Sequence, residues 1–290
     1  MASAPFDYLA ARTFAEAIEA LGQFGEGSVI LAGGQSLVPM LNLRLVQPQI
    51  VIDISGVPTE APQLSVDRLT LSALTRHVTV LSDPLVSAAS PLLVDAVRHV
   101  GNVRVRNCGT VGGSLAHADP TSEIGAAALC LDGEVVLTGA SGTRTVPVDE
   151  LFVSYLTTSI APGELLTELH LPVLNGNSGV SFIEMVRRTS DFAIVAVAAL
   201  VELEGDARTV KQARVALSGV ADRPRLADVS LTDELIGQEL PYDQLRPLAG
   251  EIASRFEPSD DVHASAAYRR RLIEVLTARA LLQAMERAQS

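Results

Sequence analysis

Residues 28–37, SVILAGGQSL, join an apolar β-branched run to a glycine pair and then to a hydroxyl residue. The run predicts a strand over 28–32, and Gly33-Gly34 predicts its abrupt end. Residues 36–45 predict a short helical turn, and 50–54 a second strand. Upstream, Thr13 and Glu16 form a capping-box pair. Phe14, Ala17, Ile18 and Leu21 then recur at helical spacing. Working outward from the glycine pair therefore gives a small α/β unit: helix, strand, glycine turn, strand.

A second stretch has the same grammar. Thr110-Val111-Gly112-Gly113-Ser114-Leu115 again sets a glycine pair before Ser-Leu. Bare consecutive glycines let the backbone turn tightly and present N–H groups with no Cβ in the way. Such amides make a concave anion site, and a following helix start adds its positive dipole end. Two such loops suit the two phosphates of one dinucleotide, although either pair alone reads more readily as a plain tight turn. No GxGxxG opens a helix after a strand, and no GxxxxGK[ST] exists, so Rossmann and Walker sites are excluded.

The rest of the chain sets the frame. Strand is predicted over 64–75, a helix opens at Ser90-Pro91, and 109–123 reads as an irregular glycine- and hydroxyl-rich loop. Thr121 is placed to cap a small-residue helix that runs to Leu131. Strands at 133–137 and 143–146 flank a glycine turn and predict a hairpin. The turn-rich run 175–179, NGNSG, is the linker candidate. After it, 180–185, 193–204 and 212–219 predict an antiparallel sheet, and 265–288 a long final helix. The apolar stretch 192–201 is half the length that a membrane span needs and reads as a buried strand.

Composition excludes several functions. The net charge of -12 argues against a nucleic-acid surface. Of 22 basic residues only Lys211 is lysine, in surroundings unlike a P-loop or a Schiff-base site. Two cysteines, Cys108 and Cys130, are too few for a disulfide framework or an iron–sulfur cluster. No histidine pair has metal-ligand spacing and no GxSxG elbow occurs, so neither a metal site nor a serine nucleophile is expected. No secretory signal opens the chain, and a cytoplasmic protein without membrane insertion is expected.

Residues 29–48, VILAGGQSLVPMLNLRLVQP, and 107–123, NCGTVGGSLAHADPTSE, resemble the two FAD-binding signatures of molybdenum hydroxylase medium subunits. Carbon monoxide dehydrogenase, quinoline oxidoreductase and the nicotine and ketone dehydrogenases are of this type. The likeness continues at Arg187-Arg188, Asp191-Phe192-Ala193, Asp261-Val262-His263-Ala264-Ser265 and Tyr268-Arg269-Arg270, so it spans the chain. It implies an α+β protein. Residues 1–176 would be an FAD-binding domain of the vanillyl-alcohol-oxidase type, in two α/β subdomains of about 1–55 and 56–176. Residues 177–290 would be a small C-terminal domain of antiparallel sheet and helix.

The implied cofactor-binding set is Leu31, Ala32, Gly33, Gly34, Gln35, Ser36 and Leu37 in the first loop. The second supplies Gly109, Thr110, Val111, Gly112, Gly113, Ser114, Leu115 and His117. Glu123 would accept from ribose or ribityl hydroxyls, or simply favour the first turn of a helix. Asp191 and Phe192 would border the flavin ring, with Leu165 and Leu166 packed near it. The chain departs from the family at Cys108, where arginine is frequent, and at Gln35, where histidine is. Cys108 reads as either a redox thiol or an inert one. His117 and Asp119 read as loop-shaping or ring-neighbouring residues and not as a catalytic dyad, and Arg269-Arg270-Arg271 as a solvated or subunit-facing stripe. No catalytic residue and no metal ligand is assigned.

The resemblance further implies an oxidoreductase complex. A large partner would carry a molybdenum–pterin cofactor, and a small partner two [2Fe–2S] clusters. Heterotrimers would pair into dimers, and electrons would leave through FAD to an external acceptor. Two alternatives stand beside it: a self-sufficient flavoenzyme with its own substrate site, and a colourless scaffold whose glycine loops are only turns.

Overall fold

Three parallel strands begin the computed structural model, which describes residues 3–239 and 242–290. Ile50–Asp53 is central, between Asp7–Ala10 and Ser28–Leu31. Helix Phe14–Phe24 makes the crossover. The Thr13 hydroxyl accepts from the Glu16 amide at 3.1 Å, as the capping pattern predicts. Its face of Ala17, Ile18 and Leu21 buries against Ile50 and Ile52. A short helix, Leu37–Asn42, follows the first glycine pair.

A second sheet is antiparallel, ordered Gln63–Leu64, Arg68–Ser72, Leu165–Pro172, Glu134–Gly139, Gly142–Pro147. The last two are the expected hairpin, closed with Gly139 opposite Gly142. The central strand Leu165–Pro172 was not foreseen. Helices Pro91–His99 and Glu123–Cys130 share its core with Leu69, Leu137 and Leu169. Ser90 does stand before Pro91, but its hydroxyl makes no cap bond.

The expected irregular loop at 109–123 is corrected: it contains a helix, Val111–His117. Thr110 caps it by accepting from the Gly113 amide at 3.1 Å, and Val111 and Leu115, four apart, bury in the core. Glycine content hid a helix that packing imposes. The next helix is capped by Ser122, through the Gly125 amide at 3.0 Å, rather than by Thr121.

The C-terminal sheet is antiparallel, ordered Ser178–Met185, Val195–Leu203, Val210–Ser218, Arg225–Leu226. Ala196, Ala198 and Leu200 face the core of the second sheet's helices. Val195, Val197, Ala199 and Val201 face helices Leu245–Ser254 and Ala266–Ala288. Burial on both faces explains why this strand is apolar without alternation. Among the described residues no helix is long and apolar enough to cross a membrane.

Close packing makes one glycine obligatory. A Cβ on Gly179 would lie 2.0 Å from the Ala284 carbonyl oxygen and 2.3 Å from the Ala288 amide. Gly179→Ala is expected to destabilise the chain by about 3 kcal/mol, because strand and final helix must part. Gly176→Ala, which meets nothing within 4 Å, should leave the thermal midpoint unchanged in the same melting experiment.

Candidate functional site

The two glycine loops meet. A Cβ built on Gly33 would stand 2.4 Å from the Cys108 carbonyl oxygen and 2.8 Å from the Gly109 Cα. One built on Gly113 would reach the Ala32 methyl at 3.8 Å, beyond its own cap at Thr110 Oγ1, 2.7 Å away. The first and second subdomains therefore touch backbone to backbone at the two motifs. Gly34 turns the chain with φ of 71°, a left-handed conformation that suits glycine.

The loops are not equivalent. Val38 donates to the Gly34 carbonyl at 3.1 Å and Met40 to Ser36 at 3.2 Å, which starts the short helix. The amides of Gly33, Gly34, Gln35, Ser36 and Leu37 find no acceptor among the described residues. These are the free donors that an anion requires. In the second loop, by contrast, Val111 donates to Thr75 at 3.0 Å, Gly112 to Ala73 at 2.8 Å and Ser114 to Thr110 at 3.0 Å. Gly113 donates to the Thr110 hydroxyl. Two matching amide cradles were expected, and the structure has one cradle beside one brace. What the second loop can still offer is hydroxyl chemistry at Thr110 and Ser114.

Segment 73–77 holds that brace. The Arg76 guanidinium donates to the Cys108 carbonyl at 2.7 Å, which places a positive charge at the junction of the loops. No motif pointed to Arg76, which follows a strand without any recognisable spacing. His77 is 3% exposed and its ring lies under Gly109; neither ring nitrogen has a partner. Burial pushes it down to about 4, so the ring is neutral at pH 7.

Other sequence-chosen residues fall in three groups. Leu31 is half-buried beside Gly34, as is Leu37 at the helix start. Val111 and Leu115 are fully buried in the second core; Leu166 joins that core and Leu165 the first. The side chains of these last four belong to the cores. Asp119 accepts from the Thr121 amide at 2.8 Å and its hydroxyl at 2.6 Å, closing the turn after His117. Glu123 begins the buried helix Glu123–Cys130. Burial, with the nearby carboxylates of Glu184 and Asp119, pushes it up to about 7.

Asp191 and Phe192 lie at the tip of an open loop, and Phe192 is 72% exposed rather than part of a core. That loop is tied to the site through Gly219, whose Cα lies beside the Ile194 carbonyl and whose amide donates to Pro120 at 2.8 Å. Cys108 is exposed, whereas burial drives Cys130 up to about 12 and leaves it an inert thiol. Among the described residues no group of three His, Cys, Asp or Glu could hold a metal ion.

This geometry has known counterparts. Residues 4–174 match the family described as FAD binding domain in molybdopterin dehydrogenase. Residues 180–284 match the CO dehydrogenase flavoprotein C-terminal domain. The chain is 34% identical to the glyceraldehyde dehydrogenase medium chain of Sulfolobus acidocaldarius, over 95% of this chain and 96% of that one. It is 35% identical to the 6-hydroxypseudooxynicotine dehydrogenase complex subunit alpha of Paenarthrobacter nicotinovorans, covering 98% and 95%. Among solved structures, carbon monoxide dehydrogenase from Hydrogenophaga pseudoflava superposes with a TM-score of 0.95 at 31% identity, covering 99% of each chain.

The neutral His77 predicts an acid limb of stability. Its folded value of about 4 lies below the ordinary 6.5, so the unfolded chain binds the extra proton. Stability from this group is present above about pH 6.5 and is lost as pH falls toward 4. In urea titrations of flavin-free protein, wild type should lose about 2 kcal/mol more than His77→Phe between pH 7 and pH 5.

Proposed function

The chain belongs to the FAD-binding medium-subunit family of molybdenum hydroxylases, and on that premise we propose that it is the electron-transfer subunit of a heterotrimer. Bound FAD supplies the redox chemistry, taking up electrons from [2Fe–2S] clusters on a small partner and releasing them to an external acceptor. A large partner carries the molybdenum–pterin cofactor and the substrate pocket, and the heterotrimers pair into dimers. Two support this division: relatives named as medium chain and complex subunit, and only two cysteines here, too few to ligate such clusters.

The observation that carries the reading is the row of unpartnered amides at Gly33–Leu37, beside the brace of the second loop. A diphosphate fits there, held by these amides, the Ser36 hydroxyl and the start of the short helix, with Arg76 adding charge. Thr110 and Ser114 offer hydroxyls from the opposite side. Glu123 meets ribityl or ribose hydroxyls, His117 lies beside them, and Asp191 and Phe192 border the ring. The exposed aromatic face of Phe192 suits contact with a flat ligand. We place the division between the FAD-binding and C-terminal domains near residue 176, between strands Leu165–Pro172 and Ser178–Met185.

The purified chain is expected to show the visible bands of flavin at one FAD per chain. Substrates of the large subunit should bleach them only in the assembled complex. A folded but colourless chain, or bleaching of the isolated subunit, would overturn the proposal. Gly34→Val should abolish FAD retention, because a β-branched residue resists φ of 71° and its Cβ meets Leu31 and Val38 at 3.3 Å. Gly34→Asn tolerates that backbone and should retain more cofactor. Ser36→Ala should weaken binding about 10-fold by removing one donor to a charged group, measured by equilibrium dialysis.

A further inference from the structure

Arg269 is not part of a solvated stripe. It is 7% exposed, while Arg270 and Arg271 beside it are exposed. Its guanidinium donates to three acceptors: the Ile194 carbonyl, the Gly219 carbonyl at 2.8 Å and the Asp261 carboxylate. Asp261 in turn accepts from the His263 and Ala264 amides, each at 2.8 Å. These bonds hold its carboxyl below the usual carboxylate range against the opposing effect of burial.

The three acceptors belong to segments that otherwise do not share an element. Ile194 closes the base of the loop that carries Asp191 and Phe192, its amide donating to Met185 at 2.7 Å. The other limb of that loop is touched from the same direction, since the Arg187 guanidinium lies 3.1 Å from His263 Nδ1. Gly219 adopts φ of 76° and has room for no Cβ, which would stand 2.7 Å from the Ile194 oxygen. Its amide reaches Pro120, just past the second glycine loop. One buried cation thus brackets the loop 186–193 on the C-terminal domain and joins it to the FAD-binding domain.

We propose that Arg269 is a positioning residue that presets the Asp191–Phe192 tip for contact with the flavin ring. This rests on the FAD reading above and adds a division within the site. The glycine loops hold the diphosphate half of the cofactor, and the Asp261–Arg269 bracket fixes the surface offered to the other half. Arginine is required because its planar fork serves separate acceptors at fixed angles, which a lysine ammonium cannot reproduce.

The test compares FAD with ADP, which shares the diphosphate and adenine but has no ribityl chain or isoalloxazine, on flavin-free full-length chain. Arg269→Lys should leave ADP affinity unchanged, weaken FAD about 10-fold or more, and alter the visible circular dichroism of bound flavin. Equal weakening of both ligands, or unchanged FAD affinity and dichroism in the folded variant, overturns the proposal. If Arg269→Lys fails to fold, Asp261→Asn must show the same ring-selective loss at smaller size, and equal loss overturns it. A folded wild-type chain that binds ADP but not FAD, or neither, overturns the FAD reading on which this one stands.

Discussion

Contact between two stretches of bare backbone governs this molecule. Gly33 approaches the Cys108 carbonyl and the Gly109 Cα too closely for any side chain, so the first subdomain is seated on the second at the glycine motifs themselves. The candidate site is built around that seat. The unpartnered amides of Gly33–Leu37 sit at that junction, where the Arg76 guanidinium donates to the Cys108 carbonyl. On the second subdomain's side of the seat, His77 lies buried beneath Gly109 as a neutral ring. A glycine here is needed first for the fold and only through the fold for a ligand.

The C-terminal domain acts as a second constraint on the same region. Helix Glu123–Cys130 is buried and is held at both ends by that domain. Arg214 donates to the Cys130 and Leu129 carbonyls at 3.0 and 3.2 Å, satisfying orphan acceptors at its C-terminus. At the other end, Gly219 reaches Pro120, and the Ser218 hydroxyl reaches Thr121 at 3.4 Å. The stretch between the second glycine loop and Glu123 is therefore pinned from outside its own domain. Strand Val195–Leu203 makes this possible, since burial on both faces welds the two cores into one solid body.

Much of this was legible in the sequence, and the failures have physical reasons. Capping at Thr13, the hairpin around Gly139 to Gly142, the three C-terminal strands and the final helix follow from local periodicity and turn chemistry. The helix Val111–His117 was missed because two glycines lower its propensity, while the apolar pair Val111 and Leu115 that compensates is visible only as an i, i+4 spacing. Strand Leu165–Pro172 joins partners far away in sequence, so no hairpin signal marks it. Arg269 was misjudged with its neighbours, although it sits three, four and seven positions before Leu272, Ile273 and Leu276. That spacing places it on the buried stripe of the helix, and Arg270 and Arg271 off it. The asymmetry of the two glycine loops left no trace in residue type, because it lies in where Ala73 and Thr75 direct their carbonyls.

That asymmetry bears on how a chain of net charge -12 can suit an anionic cofactor. A flexible lysine at the phosphates would have to be ordered against its own rotamer entropy and would answer to the field of the whole acidic surface. Backbone amides are already ordered by the fold, so they can grip an anion at contact distance without that entropic cost. Preordering has a requirement of its own: the donors must be left unpaired, and an unpaired loop needs support from elsewhere. The second glycine loop meets that requirement by giving its amides to Ala73, Thr75 and Thr110, and so becomes the rigid wall against which the first can stay open. If the first loop holds the diphosphate, two motifs alike in sequence divide one task, and a change in either would reach the cofactor by a different physical route.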